Sequence, residues 1–184
     1  MRRIIFISGP CGCGKTTLAD RLARALVAQS RRTVYVIHGD DFHQGFVEPE
    51  DKGDFFHEGE PSDRVQWEAI LSFNWDCILS VADRALRQDL DVVIDYVIEE
   101  ELPRVKSLAE KHGAALSYIV LTASEEALEA RIRQRGDVDM IERARFLKRK
   151  LEALPENRGH LLDSTELSAD ELVRAIDPAA FRVL

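Results

Sequence analysis

Eight residues near the start of the chain, Gly9-Pro10-Cys11-Gly12-Cys13-Gly14-Lys15-Thr16, satisfy G-x-x-x-x-G-K-[ST], the pattern of a loop that wraps polyphosphate. The chemistry follows from the residue types. Gly9, Gly12 and Gly14 let the backbone turn its N–H groups around a row of phosphates, with Pro10, Cys11 and Cys13 filling the loop between them. Lys15 reaches the β- and γ-phosphates, and the Thr16 hydroxyl ligates Mg²⁺. Thr17 supports the start of the following helix, whose unpaired N–H groups and partial positive charge also favour an anion. Such a loop binds ATP or GTP; by itself it leaves open what is done with the phosphate.

Three more groups carry chemistry that phosphoryl transfer needs. His38-Gly39-Asp40-Asp41-Phe42-His43 ends an apolar run at 33–37, and in an open α/β sheet ligands gather beyond the carboxyl ends of strands. A carboxylate there orients or deprotonates an attacking hydroxyl; Asp40 is the first choice and Asp41 the second, the alternative being that these acids cap a helix. His43 either contacts substrate or is structural. Asp91-Val92-Val93-Ile94-Asp95-Tyr96 is a second apolar run ending in an acid, the Walker B-like pattern in which Asp95 holds Mg²⁺ through water. Asp95 facing the acceptor or its own backbone is the alternative, and Tyr96 stands on the acceptor side. Arg131 and Arg135, four apart, share a helix face from which arginines can close over a γ-phosphate. The competing reading is a solvated basic face paired with Glu125, Glu129 and Glu142.

The elements that position these groups can be read from periodicity. An apolar run at 4–7 precedes the loop as a buried parallel strand, and Leu18, Leu22 and Leu26 mark one face of a helix over about 15–29. A second strand is expected at 33–37, a helix over about 67–88 with Trp75 as packing, a third strand at 91–96 and a helix at 99–111 with Pro103 near its start. A fourth strand is expected at 116–121, then a helix opened by a Thr122-x-x-Glu125 capping box. A helix over about 138–154, a short strand at 160–163 and a last helix opened by Ser168-x-x-Glu171 complete the chain. Strands alternating with helices give a three-layer α/β/α fold on a five-stranded parallel sheet. Residues 44–63 keep no period and are rich in acids around Phe55-Phe56. They read as a cover over the substrate side or as a solvated loop, and Arg64 is the cation beside them.

Composition narrows the setting. A length of 184 residues, 45% apolar and 32% charged, suits one domain spanning 1–184. A net charge of −8 argues against nucleic acid or an anionic membrane as partner. No apolar run is long enough to cross a bilayer, so the cytoplasm is the expected compartment. The Cys11-x-Cys13 pair lacks a second Cys/His pair to complete a metal site, and oxidation of an exposed loop thiol would impair the loop.

With these motifs placed, the chain resembles the small P-loop kinases: shikimate kinase, gluconate kinase, chloramphenicol phosphotransferase and, closest, uncharacterised AAA-domain kinases. The resemblance covers nearly the whole chain and implies a nucleoside-monophosphate-kinase-like fold with strand order 2-3-1-4-5, a substrate-binding insertion at about 42–66 and a lid at about 133–145. It implies that Asp40 meets the acceptor hydroxyl, that Arg131 stacks on adenine and that Arg135 approaches the phosphates. It also implies that Ser164, Thr165 and Glu166 border the base. The glycine cluster that shikimate kinase carries after strand three is absent, with Asp95-Tyr96-Val97-Ile98 in its place. Tyr96 and the acidic 48–60 stretch have no gluconate-kinase counterpart. The expectation is an ATP-dependent kinase using ATP and Mg²⁺ on a hydroxyl of a small metabolite or antibiotic, as a monomer or homodimer. A nucleoside or nucleotide kinase, marked by a phosphate pocket at Arg64 or Arg104, a water-activating NTPase and a nucleotide-binding regulatory module are the alternatives.

Overall fold

The computed structural model describes residues 1–46, 56–57, 60–61 and 67–184. Five parallel strands form the main sheet: β1 (Arg3–Ser8), β2 (Val34–His38), β3 (Asp91–Asp95), β4 (Ala115–Thr122) and β5 (Leu161–Asp163). They run in the order 2-3-1-4-5, which is the expected order. β1 lies at the centre, with Ile7 opposite Asp95 of β3 and Ser8 opposite Val120 of β4. Its residues Ile4 to Ile7 are all buried, because a central parallel strand is covered on both faces and must be apolar on both.

Alternation along the strands assigns the two layers. Ile4, Phe6, Val92 and Ile94 face α2 (Trp67–Arg87), α3 (Leu102–His112) and the end of α5 (Ile141–Ala153). Ile5, Ile7, Val93 and Ile119 face α1 (Lys15–Ser30) and α6 (Ala169–Ala175), with Leu18, Leu22 and Leu26 of α1 packed on them. A third, small cluster of Ile132, Ile141 and Ala144 joins α4 (Glu125–Arg135) to α5 and touches Cys11 of the phosphate loop. Among the described residues no helix is long and apolar enough to cross a membrane.

Several boundaries differ from expectation for local reasons. α3 starts at Leu102 rather than 99, because the Glu101 carboxylate accepts from the backbone N–H groups of Glu99 and Glu100 and holds them outside the helix. The N-cap of α4 is Ser124, whose side chain accepts from Ala127 N. Thr122 belongs to β4, and its hydroxyl donates to Glu152. The helix expected from 138 begins as a 3-10 turn, Val138–Met140, before α5. The capping box at Ser168 and Glu171 forms as expected. Asp40 and Asp41 sit in a 3-10 helix, Gly39–Gly45, and a two-residue antiparallel ladder pairs Phe56–His57 with Glu60–Pro61. The remaining acidic stretch, with Glu48, Asp51, Asp54, Phe55, Glu58 and Asp63, lies outside the described residues, as does Arg64.

At the amino ends of the strands, away from the phosphate loop, Asp91 is 1% exposed. It accepts from Arg3 N at 3.0 Å, Arg3 Nη2 at 2.7 Å and Arg32 Nε at 3.2 Å. Removing one side of a desolvated pair leaves the other uncompensated. Asp91→Ala is therefore expected to lower unfolding free energy by about 3 kcal/mol in urea titrations while the folded protein keeps its nucleotide affinity. A loss below about 1 kcal/mol would show that solvent already satisfies these arginines.

Candidate active site

The phosphate loop is shaped by close backbone approach at two glycines. Gly9 has φ 146°, and a Cβ there would fall 2.5 Å from Leu121 O. Gly12 has φ 78°, and its Cβ would meet Ile132 Cγ1 at 2.9 Å. The loop is thus pressed against β4 on one side and α4 on the other, with no room for larger residues. α1 starts at Lys15 with no side-chain cap, so its first amides stay available to an anion. Lys15 is buried and donates to Pro10 O at 3.0 Å. Burial pushes its ammonium down, and surrounding negative charge, the carboxylates of Asp40 and Asp95 included, leaves it above its ordinary value. Burial keeps Cys13 a thiol.

Thr16 Oγ1 donates to Asp95 Oδ2 at 2.8 Å. The other oxygen of Asp95 lies 2.5 Å from His38 Nδ1, and His38 Nε2 is 3.5 Å from Asp20 Oδ1. The register of β2 on β3 sets His38 directly beside Asp95. Burial pushes the Asp95 carboxyl up, against the pull of Thr16 and His38. For His38 burial acts downward, but the hydrogen bond and charge of Asp95, with Asp20 and Asp41, leave it raised. His38 was not singled out by sequence reasoning; its signal was its place at a strand end, one residue before Gly39-Asp40.

Thr16 and Asp95 offer hard oxygen donors side by side, which fits Mg²⁺. Among the described residues no group of three or more His, Cys, Asp or Glu could hold a metal.

Among the described residues, two of the cavities are lined by Asp40. One, of about 180 Å³, is lined by Lys15, Thr16, Thr17, Arg135 and Asp137. The other, of about 200 Å³, is lined by Trp75, Tyr96, His43, Glu99, Glu101 and Arg143. Asp40, Cys11 and Met140 line both. Asp41 lines neither and adds its charge near His38.

The expected arginines separate. Arg135, at the last turn of α4, lines the phosphate-loop cavity, with Nε 3.2 Å from Asp137 Oδ2. Arg131 donates to Ser164 O at 2.7 Å and Thr165 O at 3.0 Å. The buried Ser164 hydroxyl lies 3.1 Å from Cys13 O, and Thr165 Oγ1 accepts from Ser124 N at 2.8 Å. These three residues brace the back of the phosphate loop and the end of β5. Arg133 and Arg145 form the solvated network with Glu125, Glu129 and Glu142.

On the other side, Phe6 stacks on Trp75 at 5.6 Å, and Trp75 meets Tyr96 edge-on at 5.6 Å. A Cβ on Gly39 would fall 2.4 Å from Tyr96 Cδ2, so glycine is what lets the ring lie beneath the Asp40 turn. Burial pushes the Tyr96 hydroxyl up to about 12, keeping it protonated at neutral pH.

A family model described as "AAA domain" matches residues 5–155. The guanylate kinase of Prochlorococcus marinus subsp. pastoris is 26% identical over 142 residues, 74% of this chain and 73% of that protein. The structure is similar to an APS kinase of Mycobacterium tuberculosis solved with AMPPNP and APS, with TM-score 0.65, 17% identity, and coverage of 95% of this chain and 94% of that one. It is also similar to a gluconokinase of Sinorhizobium meliloti, with TM-score 0.57, 23% identity, and coverage of 98% and 91%. The fold is that of P-loop kinases.

A raised folded-state value for His38 fixes the sign of a pH effect. The stability it contributes is complete below its unfolded value, about 6.5, and is lost as pH climbs through the folded value. The stability gap between wild type and His38→Gln should therefore narrow in thermal melts as pH rises above His38's unfolded value of about 6.5. A gap independent of pH would mean that His38 is not charged beside Asp95.

Proposed function

The chain belongs to the AAA-domain family matched over residues 5–155, and on that premise we propose that it is an ATP-dependent phosphotransferase acting on a hydroxyl of a small metabolite or antibiotic. The observation that carries this reading is the position of Asp40 on the wall shared by the phosphate-loop cavity and the neighbouring one. A carboxylate there reaches both a γ-phosphate and an acceptor, which a passive nucleotide binder does not need.

In this reading the loop amides and Lys15 hold the phosphates, Lys15 exchanging Pro10 O for phosphate oxygen. Thr16 and Asp95 hold the metal; charge neutralisation on the phosphate oxygens is what a Mg²⁺ bound there supplies. Asp40 accepts the proton of the acceptor hydroxyl as its oxygen bonds to the γ-phosphorus. The bond from that phosphorus to the β,γ-bridging oxygen breaks, and ADP leaves. Arg135 stabilises the charge on the transferring group. Arg131, with Ser164 and Thr165, forms the edge against which the base rests. The segment 133–145 closes over the phosphates, within a single domain; most of the segment at about 42–66, expected to bind the acceptor, lies outside the described residues.

A nucleotide acceptor is the second reading, favoured by the 26% identity to a guanylate kinase. The charges of the neighbouring cavity weigh against it. Asp40, Glu99 and Glu101 line it with Arg143; Glu99 is paired both with Arg143, whose Nη2 is 3.1 Å from its Oε1, and with Lys150, so the repelling carboxylates are Asp40 and Glu101. Arg104 instead pairs with Asp76 at 2.6 Å. Carboxylates repel an acceptor phosphate and accept hydrogen bonds from a polyol.

ADP release from Mg-ATP, measured alone and with sugar acids, shikimate, nucleosides, nucleoside monophosphates and hydroxylated antibiotics, tests the proposal. Stimulation by a hydroxyl acceptor is expected, and Asp40→Asn should lower that stimulated rate roughly 100-fold or more with ATP affinity retained. Stimulation by a nucleoside monophosphate would establish the second reading. Steady release with no acceptor dependence would overturn both.

A further inference from the structure

Asn74, on α2, is fully buried. Its amide nitrogen lies 3.0 Å from His43 Nδ1 and 2.9 Å from the Tyr96 hydroxyl, two side chains that line the cavity beside Asp40. Among the described residues its amide oxygen has no hydrogen-bond partner. This orientation is the cheaper one. Turning the amide over would satisfy the oxygen but bury two N–H donors without acceptors, a costlier defect than one unpaired carbonyl.

The consequence concerns the direction of every hydrogen bond around it. Asn74 has two amide hydrogens, and both are committed. His43 Nδ1 must accept one, so its ring proton is on Nε2. The Tyr96 oxygen accepts the other, and its own hydrogen is left to donate elsewhere. That hydroxyl is protonated at neutral pH as any tyrosine is, and burial raises it further. The ring cannot swing away, because Trp75 and the Gly39 backbone pack against it.

We propose that Asn74 is a positioning residue that sets the polarity of the acceptor site, fixing Tyr96 as a hydrogen-bond donor in the cavity that the carboxylate acceptor Asp40 also lines. The inference rests on the reading of this cavity as the acceptor site. It names a class of acceptor: a molecule whose reacting hydroxyl donates to Asp40 and whose second oxygen, as hydroxyl, ether, carbonyl or carboxylate, accepts from Tyr96. An isolated alcohol lacks the second contact. An amino alcohol presents an ammonium, which only donates and therefore opposes the Tyr96 hydrogen.

The first test needs no acceptor. Nitrogen NMR of His43 in the resting protein should show Nδ1 unprotonated and the proton on Nε2; a protonated Nδ1 overturns the assignment. The second test uses an acceptor found by ADP release. Tyr96→Phe keeps the ring and should raise the acceptor KM roughly tenfold, with the ATP KM unchanged. The analogue whose second oxygen is removed should lose the same factor on wild type and nothing further on Tyr96→Phe. Equal shifts in both KM values, or none, would make Tyr96 and Asn74 packing residues and sink the proposal. A resting protein with the predicted tautomer but no acceptor-dependent turnover would contradict the kinase reading and leave the His43–Asn74 geometry standing.

Discussion

The structure depends on a carboxylate kept almost out of water. Asp95 is 2% exposed, and its two oxygens are held by Thr16 and His38. Burial alone would favour the protonated form, and these partners work against it. The contact spans 79 residues on one side and 57 on the other, so it welds the start of α1 to the ends of β2 and β3. A phosphate loop has few side chains of its own to hold it. Its conformation is fixed from outside: by Asp95 at Thr16, by Ser164 at Cys13 O, and by β4 and α4 pressed against Gly9 and Gly12.

A second line of contacts runs from the sheet core to Asp40. Phe6 of the central strand stacks on Trp75, Trp75 meets Tyr96, and Tyr96 lies under Gly39. Gly39 is followed by Asp40, which lines both cavities. An acid on a short 3-10 turn would ordinarily be poorly fixed. Here the turn sits on an aromatic column rooted in the most buried part of the molecule, and close packing transmits that rigidity outward.

Much of this was legible in the sequence, for identifiable reasons. The phosphate loop is local, and its glycines, lysine and threonine are diagnostic together. Strands β1, β3 and β4 are continuous apolar runs because both their faces are covered, and the loss of alternation was itself the signal. What escaped was set by contacts between distant residues. His38 gains its role only from the register that places it beside Asp95, and Asn74 only from lying within reach of both His43 and Tyr96. Arg131 and Arg135 share a face by spacing, yet one turn of helix carries Arg131 toward Ser164 and leaves Arg135 over the phosphate loop. The helix starts at Glu99 and Thr122 failed where a neighbouring side chain, Glu101 or Ser124, competed better for the free amides.

The central proposal is that Asp95, held between Thr16 and His38, would hold a Mg²⁺ beside the phosphate loop. Calorimetric titration of ATP with and without Mg²⁺, on wild type and Asp95→Asn, tests it most directly, since asparagine keeps the size and a hydrogen-bond acceptor and removes the charge. The account predicts that Mg²⁺ tightens ATP binding to wild type and that this gain largely disappears in Asp95→Asn, with metal-free ATP binding little changed. An equal Mg²⁺ dependence in both proteins would contradict it.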